Sequence, residues 1–215
     1  FMTSTLQQEA SRKFGMGARA TMSAAQRLYE AGLITYMRTD GIDMAPEAVT
    51  QARDAISDFY GADYRPDAPR TYKNKAKNAQ EAHECIRPTD MFLKPEDAKI
   101  SESDQRKLYD LIWKRTLACQ MEAARLERTT VEIGSADGQV GLRATGQVVL
   151  FDGFMKVYEE GRDDDAVVDD DDKRLPALSE GEATPKQSVT PDQHFTQPPP
   201  RYTEATLVKR MEELG

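Results

Sequence analysis

Tyr36 and Arg38 stand two residues apart in Ile34-Thr35-Tyr36-Met37-Arg38-Thr39-Asp40. In an extended segment, side chains at i and i+2 leave the same face, so a phenol and a guanidinium would share one surface. A tyrosine oxygen can form covalent intermediates, and arginine grips phosphate oxygens through its planar fork. Together the two residue types suit attack on a phosphate with the phosphate held in place. Spacing alone favours the plainer arrangement, a strand with one core tyrosine and one surface arginine, because such pairs are common on strands. Gln26 and Glu30 lie four apart, on one face of a helix. His83 and Arg87 form a second polar group downstream, within Glu81-Ala82-His83-Glu84-Cys85-Ile86-Arg87-Pro88-Thr89. A neutral or charged imidazole can offer phosphate a hydrogen bond, and Arg87 can contact a phosphate backbone or pair with a neighbouring carboxylate. His194 lies beside a proline tract and is read as loop.

The elements that must carry these residues can be read from periodicity and punctuation. Ser4 or Thr5 can cap a first helix, with Leu6, Ala10 and Phe14 on one stripe and Gly15 as its stop. Thr21 can cap a second helix with Met22, Ala25 and Tyr29 inward, ending at Gly32. A strand containing Tyr36 follows. Pro46 suits the first turn of a third helix, whose apolar face is Val49, Ala52, Ile56 and Phe59. Residues 62–100 are mostly loop. Ser103 opens a long helix with Leu108, Leu111, Ile112 and Cys119 among its apolar positions, and Trp113 as a packing anchor. After residue 125 the period changes to two. Segments 129–133, 140–144 and 148–158, the last broken at Gly153, read as antiparallel strands joined by glycine turns. Pro198-Pro199-Pro200 is a stiff boundary, and Thr203 with Thr206 starts a last helix. The expected class is mixed α+β. It comprises a tyrosine-bearing helical domain over 1–124, a β-rich segment over 125–197 with an acidic loop at 159–172, and a helix start over 198–215.

Composition sets limits. The chain has 215 residues, 39% of them hydrophobic, and a net charge of −8. No apolar run is long enough for a membrane span, and Cys85 and Cys119 are isolated thiols without metal-ligand spacing. They fit a reduced, cytoplasmic setting. A negative net charge runs against a nucleic-acid binder, but it is unevenly placed. Residues 1–128 hold 20 Lys+Arg against 19 Asp+Glu, whereas 129–215 hold 9 against 18. The aspartate runs near 163–172 read as solvated loop, leaving the first half able to present a local basic groove. Weak DNA binding by this stretch alone is expected.

Four blocks, taken in order, resemble the type IA DNA topoisomerases, and bacterial topoisomerase I more than topoisomerase III. They are Thr3-Ser4-Thr5-Leu6-Gln7-Gln8, Gln26-Arg27-Leu28-Tyr29-Glu30 with the heptad at 34–40, Glu81 to Thr89, and Pro198-Pro199-Pro200-Arg201-Tyr202-Thr203-Glu204-Ala205. Gly41 stands where the family usually has serine, and Cys85 where it has alanine. The resemblance implies a winged-helix-like tyrosine domain and part of an arched β gate. It implies Tyr36 as the nucleophile, Arg38 as the clamp on the scissile phosphate, and Gln26, Glu30, His83 and Arg87 as DNA contacts. It also implies single-stranded DNA as partner, ATP-independent relaxation through a 5′-phosphotyrosine link, and magnesium held by a Toprim domain. No sequence here resembles that domain. The chain is therefore expected to be a central fragment, inactive alone, with no metal of its own and with Tyr36 exposed. Its partners would be the Toprim and base domains of the same enzyme, and open strand edges favour self-association. A recombinase is disfavoured because Tyr36 precedes His83 and Arg87. A relaxase is disfavoured because two distant histidines make no metal cluster. A winged-helix binding module is disfavoured because residues 21–31 are not basic, and a reverse gyrase needs a helicase half.

Overall fold

The computed structural model describes residues 1–72, 84–161, 178–188, 190–196 and 198–214. The chain divides into two compact units. One is built from Phe1–Ala123, Gly153–Asp164 and Tyr202–Gly215, the other from Ala124–Asp152 and Asp165–Arg201.

The first unit is helical. Its helices are α1 (Thr3–Phe14), α2 (Ala18–Glu30), α3 (Pro46–Tyr60), α4 (Ser103–Ala118) and α5 (Glu204–Leu214). Helix α1 ends where expected: Gly15 takes φ +64°, and its amide and that of Met16 return to the carbonyls of Ser11 and Ala10. That left-handed turn is open to glycine at little cost. Helix α2 starts earlier than the sequence suggested, at Ala18. Thr21 is no cap; it is fully buried one turn in, and its hydroxyl donates to the Gly17 carbonyl. Glu204 does the capping instead, its carboxylate accepting the Ala18 amide at 2.9 Å. An added Cβ on Gly17 would lie 2.7 Å from that carboxylate, which would have to shift to admit it.

Helix α4 is the centre of the core. It buries Leu108, Tyr109, Leu111, Ile112, Trp113, Thr116 and Leu117, so it is apolar on most of its circumference. Around it pack Leu6 and Ala10 of α1, Ala25 and Leu28 of α2, and Ala52 and Ile56 of α3. The two large polar-tipped rings of α4 satisfy themselves on loop backbone. Trp113 Nε1 donates to the Met91 carbonyl at 3.0 Å and the Tyr109 hydroxyl to the Leu93 carbonyl at 2.9 Å. These two bonds fix the irregular 91–93 segment, which has no ladder of its own.

The second unit is organised by a hairpin. Strand β1 (Arg125–Gly134) pairs antiparallel with β2 (Gly141–Phe151), in a register that sets Thr130 opposite Thr145 and Ile133 opposite Leu142. The sequence suggested three strand segments here. The second and third are one strand, because Gly146 does not break the ladder but pairs with Thr129. The expected break falls at Gly153, which takes φ +49° and opens a 3₁₀ turn, Gly153–Lys156, and strand does not resume by Tyr158 as expected. The chain then returns to the first unit, where Tyr158 is buried and donates to Glu9 at 2.5 Å. Apolar side chains on both strands remain exposed, among them Leu126, Leu142 and Leu150.

Candidate active site

The heptad 34–40 is not a regular strand. Only Ile34 forms a bridge, to Pro88, and the remainder is bend and irregular backbone. The expected strand fails because its backbone groups are met by side chains and by a single neighbouring segment, not by a sheet. Thr35 is the main point of attachment. Its amide donates to the Arg87 carbonyl at 2.9 Å, its hydroxyl donates to the Cys85 carbonyl at 2.8 Å, and the same oxygen accepts the Arg87 amide at 3.0 Å. Burial still alternates along the second part of the heptad. Met37 and Thr39 are buried; Tyr36, Arg38 and Asp40 are exposed. The phenol and the guanidinium therefore emerge on the solvent side, as an extended backbone requires.

Tyr36 is 50% exposed, and among the described residues no hydrogen bond reaches its hydroxyl or the Arg38 guanidinium. Its ring is held by Tyr29, with centroids 5.4 Å apart and planes at 72°. This edge-to-face contact adds about 0.5–1.5 kcal/mol beyond area burial when well shielded. Tyr29 was expected to face inward; it is 43% exposed because it sits in the last turn of α2, where the Tyr36 ring and not the core is its neighbour. Gln26 and Glu30 are exposed on the same helix and bonded to each other at 2.9 Å. Residues 26, 29 and 30 fall at i, i+3 and i+4, so this polar pair lies on the helix face that meets Tyr36.

Arg87 is placed differently. Its Nε and Nη2 donate to the two oxygens of Glu84 at 2.6 and 3.0 Å, and Nη1 donates to the Pro88 carbonyl at 2.9 Å. Glu84 also accepts the Ala45 amide at 2.8 Å, just ahead of α3. Burial pushes the Glu84 carboxyl up, but the Arg87 and Ala45 hydrogen bonds and the Arg87 charge outweigh it and hold the group below its ordinary range. Arg87 thus stiffens the segment on which Thr35 is hung. His83 lies outside the described residues.

Two participants escaped the sequence reading. Glu84 lies inside a block that was singled out, yet nothing local marks it as the partner of Arg87 and Ala45. Thr3 reaches the heptad from the start of α1, a contact across 34 to 36 residues with no signal in spacing. The cysteines are free. Burial pushes both thiols up, Cys119 to about 11. Among the described residues no group of three or more His, Cys, Asp or Glu side chains could hold a metal ion, and no helix is long and apolar enough to cross a membrane.

The fold and the heptad define a mixed α+β protein that presents an accessible phenol and, two residues on, an exposed guanidinium on one non-helical segment. The family model described as DNA topoisomerase matches residues 1–215. A DNA topoisomerase 1 of Zymomonas mobilis is 58% identical over 219 residues, covering 100% of this chain and 18% of that protein. The DNA topoisomerase 1 of Streptomyces coelicolor is 54% identical, covering 99% of this chain and 23% of its own length. Full-length topoisomerase I from Thermotoga maritima superposes with a TM-score of 0.78 at 39% identity, covering 100% of this chain and 34% of that one. The chain belongs to the bacterial type IA DNA topoisomerase family. It spans about a fifth of the length of these two curated relatives and about a third of the solved one.

Proposed function

We propose that this chain is the tyrosine-bearing part of an ATP-independent type IA topoisomerase that relaxes negatively supercoiled DNA. In this reading the Tyr36 oxygen attacks a backbone phosphorus of single-stranded DNA. The Tyr36 O–P bond forms as the P–O3′ bond breaks. The phenol loses its proton and the departing 3′ oxygen gains one. The product is a 5′-phosphotyrosine diester and a free 3′-hydroxyl, and the diester conserves the energy needed for resealing after strand passage. Arg38 holds the scissile phosphate and stabilises the charge that develops on it. Gln26 and Glu30 line the nucleotide site from α2, His83 contacts DNA near the break, and Arg87 acts by holding Thr35. A free phenol titrates near pH ~10 and attacks poorly at neutrality unless a neighbour helps. In this reading Arg38, two positions on, is the helper this chain supplies. The partners are single-stranded DNA and the Toprim and base domains of the family. Magnesium belongs to the same reading, but the described residues do not fit a magnesium site and no step is assigned to it.

The observation that carries this reading is half-exposed Tyr36, whose hydroxyl no hydrogen bond reaches among the described residues, on the segment that also exposes Arg38. The test uses the full protein that carries this sequence, with magnesium and negatively supercoiled plasmid, and traps covalent DNA by denaturation. Wild type should relax plasmid and yield 5′-linked protein; Tyr36→Phe should do neither. A Tyr36→Phe protein that still forms the adduct refutes the nucleophile assignment.

A further inference from the structure

Thr3 is the first residue of α1, yet its hydroxyl takes no part in capping that helix. The Met2 amide is met by Thr5 Oγ1 at 2.9 Å instead. The Thr3 hydroxyl turns to the heptad. Its oxygen accepts the Thr39 amide at 2.9 Å and lies, as a donor, 2.9 Å from the Met37 carbonyl oxygen and 3.1 Å from that of Thr39. The Thr3 amide donates to the Thr39 carbonyl at 2.9 Å.

The geometry of these bonds is specific to one residue. The Met37 carbonyl belongs to the peptide group before the Arg38 Cα, and the Thr39 amide to the peptide group after it. One hydroxyl therefore binds both peptide planes that meet at Arg38, and so fixes the φ and ψ from which its side chain departs. A hydroxyl has one proton and two lone pairs, so donating to one carbonyl while accepting one amide is within its capacity. Among the described residues no strand ladder does this job, because the heptad has no regular strand partner at Met37 or Thr39. Thr39 adds a local turn by accepting the Gly41 amide at 2.9 Å, which leaves its own amide and carbonyl to Thr3.

We infer that Thr3 is a positioning residue for Arg38, acting through the two peptide groups that flank it. The inference rests on Tyr36 as nucleophile and Arg38 as phosphate clamp. Removing the hydroxyl with Thr3→Val keeps the side-chain shape and frees the Arg38 backbone. Misplacement of a catalytic group by about 1 Å can cost about 100-fold in rate, so a loss of roughly 10- to 100-fold in single-turnover cleavage is expected, with affinity for the oligonucleotide unchanged. Thr3→Ser, which retains the hydroxyl, restores the rate.

The experiment is a double-mutant cycle in the full protein that carries this sequence, with a single-stranded oligonucleotide and adducts trapped by denaturation. Rates are compared for wild type, Thr3→Val, Arg38→Ala and the double variant. If Thr3 acts through Arg38, Thr3→Val has no further effect once Arg38 is alanine. A full multiplicative loss in the double variant, or a wild-type rate in Thr3→Val, overturns the role. A Tyr36→Phe control that still forms adduct overturns the nucleophile assignment and this inference with it; a control without adduct beside an additive cycle overturns the Thr3 role alone. Hydrogen exchange gives a measurement independent of turnover. The Thr39 amide should exchange faster in Thr3→Val while the amides of α4 keep their protection, and unchanged exchange at Thr39 overturns the proposal. If α4 also loses protection, Thr3→Cys, similar in size with a weaker donor, takes its place in the cycle.

Discussion

Replacing Arg87 by lysine tests whether a charge pair holds the segment to which the heptad is attached. Arg87 and Glu84 make a two-pronged contact at 2.6 and 3.0 Å, with side chains 13% and 30% exposed. A shielded hydrogen bond to a charged group contributes about 1.5–3 kcal/mol, and a fully exposed ion pair about 0–1 kcal/mol. This pair lies between those limits. Lysine keeps the charge but has no fork, so one carboxylate contact and the bond to the Pro88 carbonyl are lost. The expected cost is about 1–2 kcal/mol near neutral pH, and Glu84→Gln should cost a similar amount. The pH dependence has a definite sign. The folded carboxyl of Glu84 titrates below its ordinary value of 4.5. A depressed carboxylate stabilises above its unfolded pKa, and that contribution disappears as pH falls through the folded one. The gap between wild type and Glu84→Gln should therefore be full above roughly pH 5 and close at strongly acid pH. Urea unfolding followed by Trp113 fluorescence at both ends of that range measures it. A gap of equal size at acid pH, or an Arg87→Lys protein as stable as wild type, refutes the charge-pair argument. A merely local loss of stability would leave cleavage unchanged. Because the Arg87 amide and carbonyl hold Thr35, adduct formation by Arg87→Lys should also fall.

Gly161 should resist substitution. A Cβ there would meet Arg12 Cβ at 2.9 Å and Glu9 Oε1 at 3.2 Å, and the Gly161 amide donates to the buried Glu9. Gly161→Ala should lose about 1–3 kcal/mol in urea unfolding, and an unchanged midpoint would mean that the 158–161 segment is not docked as described. The thiols should be inert. With Cys119 pushed up to about 11 and Cys85 raised as well, iodoacetamide at neutral pH should label neither before unfolding. Rapid labelling of native protein would show that the burial is wrong.

Much of the helical unit was legible because its signals are local. Pro46 and Gly61 bracket α3, Gly15 ends α1, and the Trp113 period marks α4, all within one or two turns of the residues concerned. The errors arose where a distant group overrode a local preference. Thr21 has the side chain of a cap, but α2 begins three residues earlier, where Glu204, 186 residues from Ala18, accepts the Ala18 amide. Gly146 looks like a turn, but a residue of either kind can sit inside a ladder when its partner strand continues, and Thr129 is that partner. The break at Gly153 was legible, but not that the chain beyond it leaves strand for a 3₁₀ turn and the Tyr158–Glu9 hydrogen bond.

The same distinction governs the heptad. Tyr36 and Arg38 were singled out by residue type and spacing alone, and both lie exposed on one segment. The residues that hold them were not legible, because backbone can be fixed by any donor or acceptor that arrives from elsewhere. Extended geometry was inferred from a strand, and the alternation of burial from Tyr36 to Asp40 survives without one. What keeps it is two threonine hydroxyls. Thr35 bonds to the Cys85–Arg87 segment and Thr3 bonds on either side of Arg38. A sheet would fix the same dihedrals through neighbours on both edges, and those neighbours would cover the surface. Fixing them by side chains from behind leaves the front of the segment open, with Tyr36 half-exposed and Arg38 exposed without a hydrogen bond to its guanidinium among the described residues, and such an open face is what the proposed approach of a phosphate backbone would require.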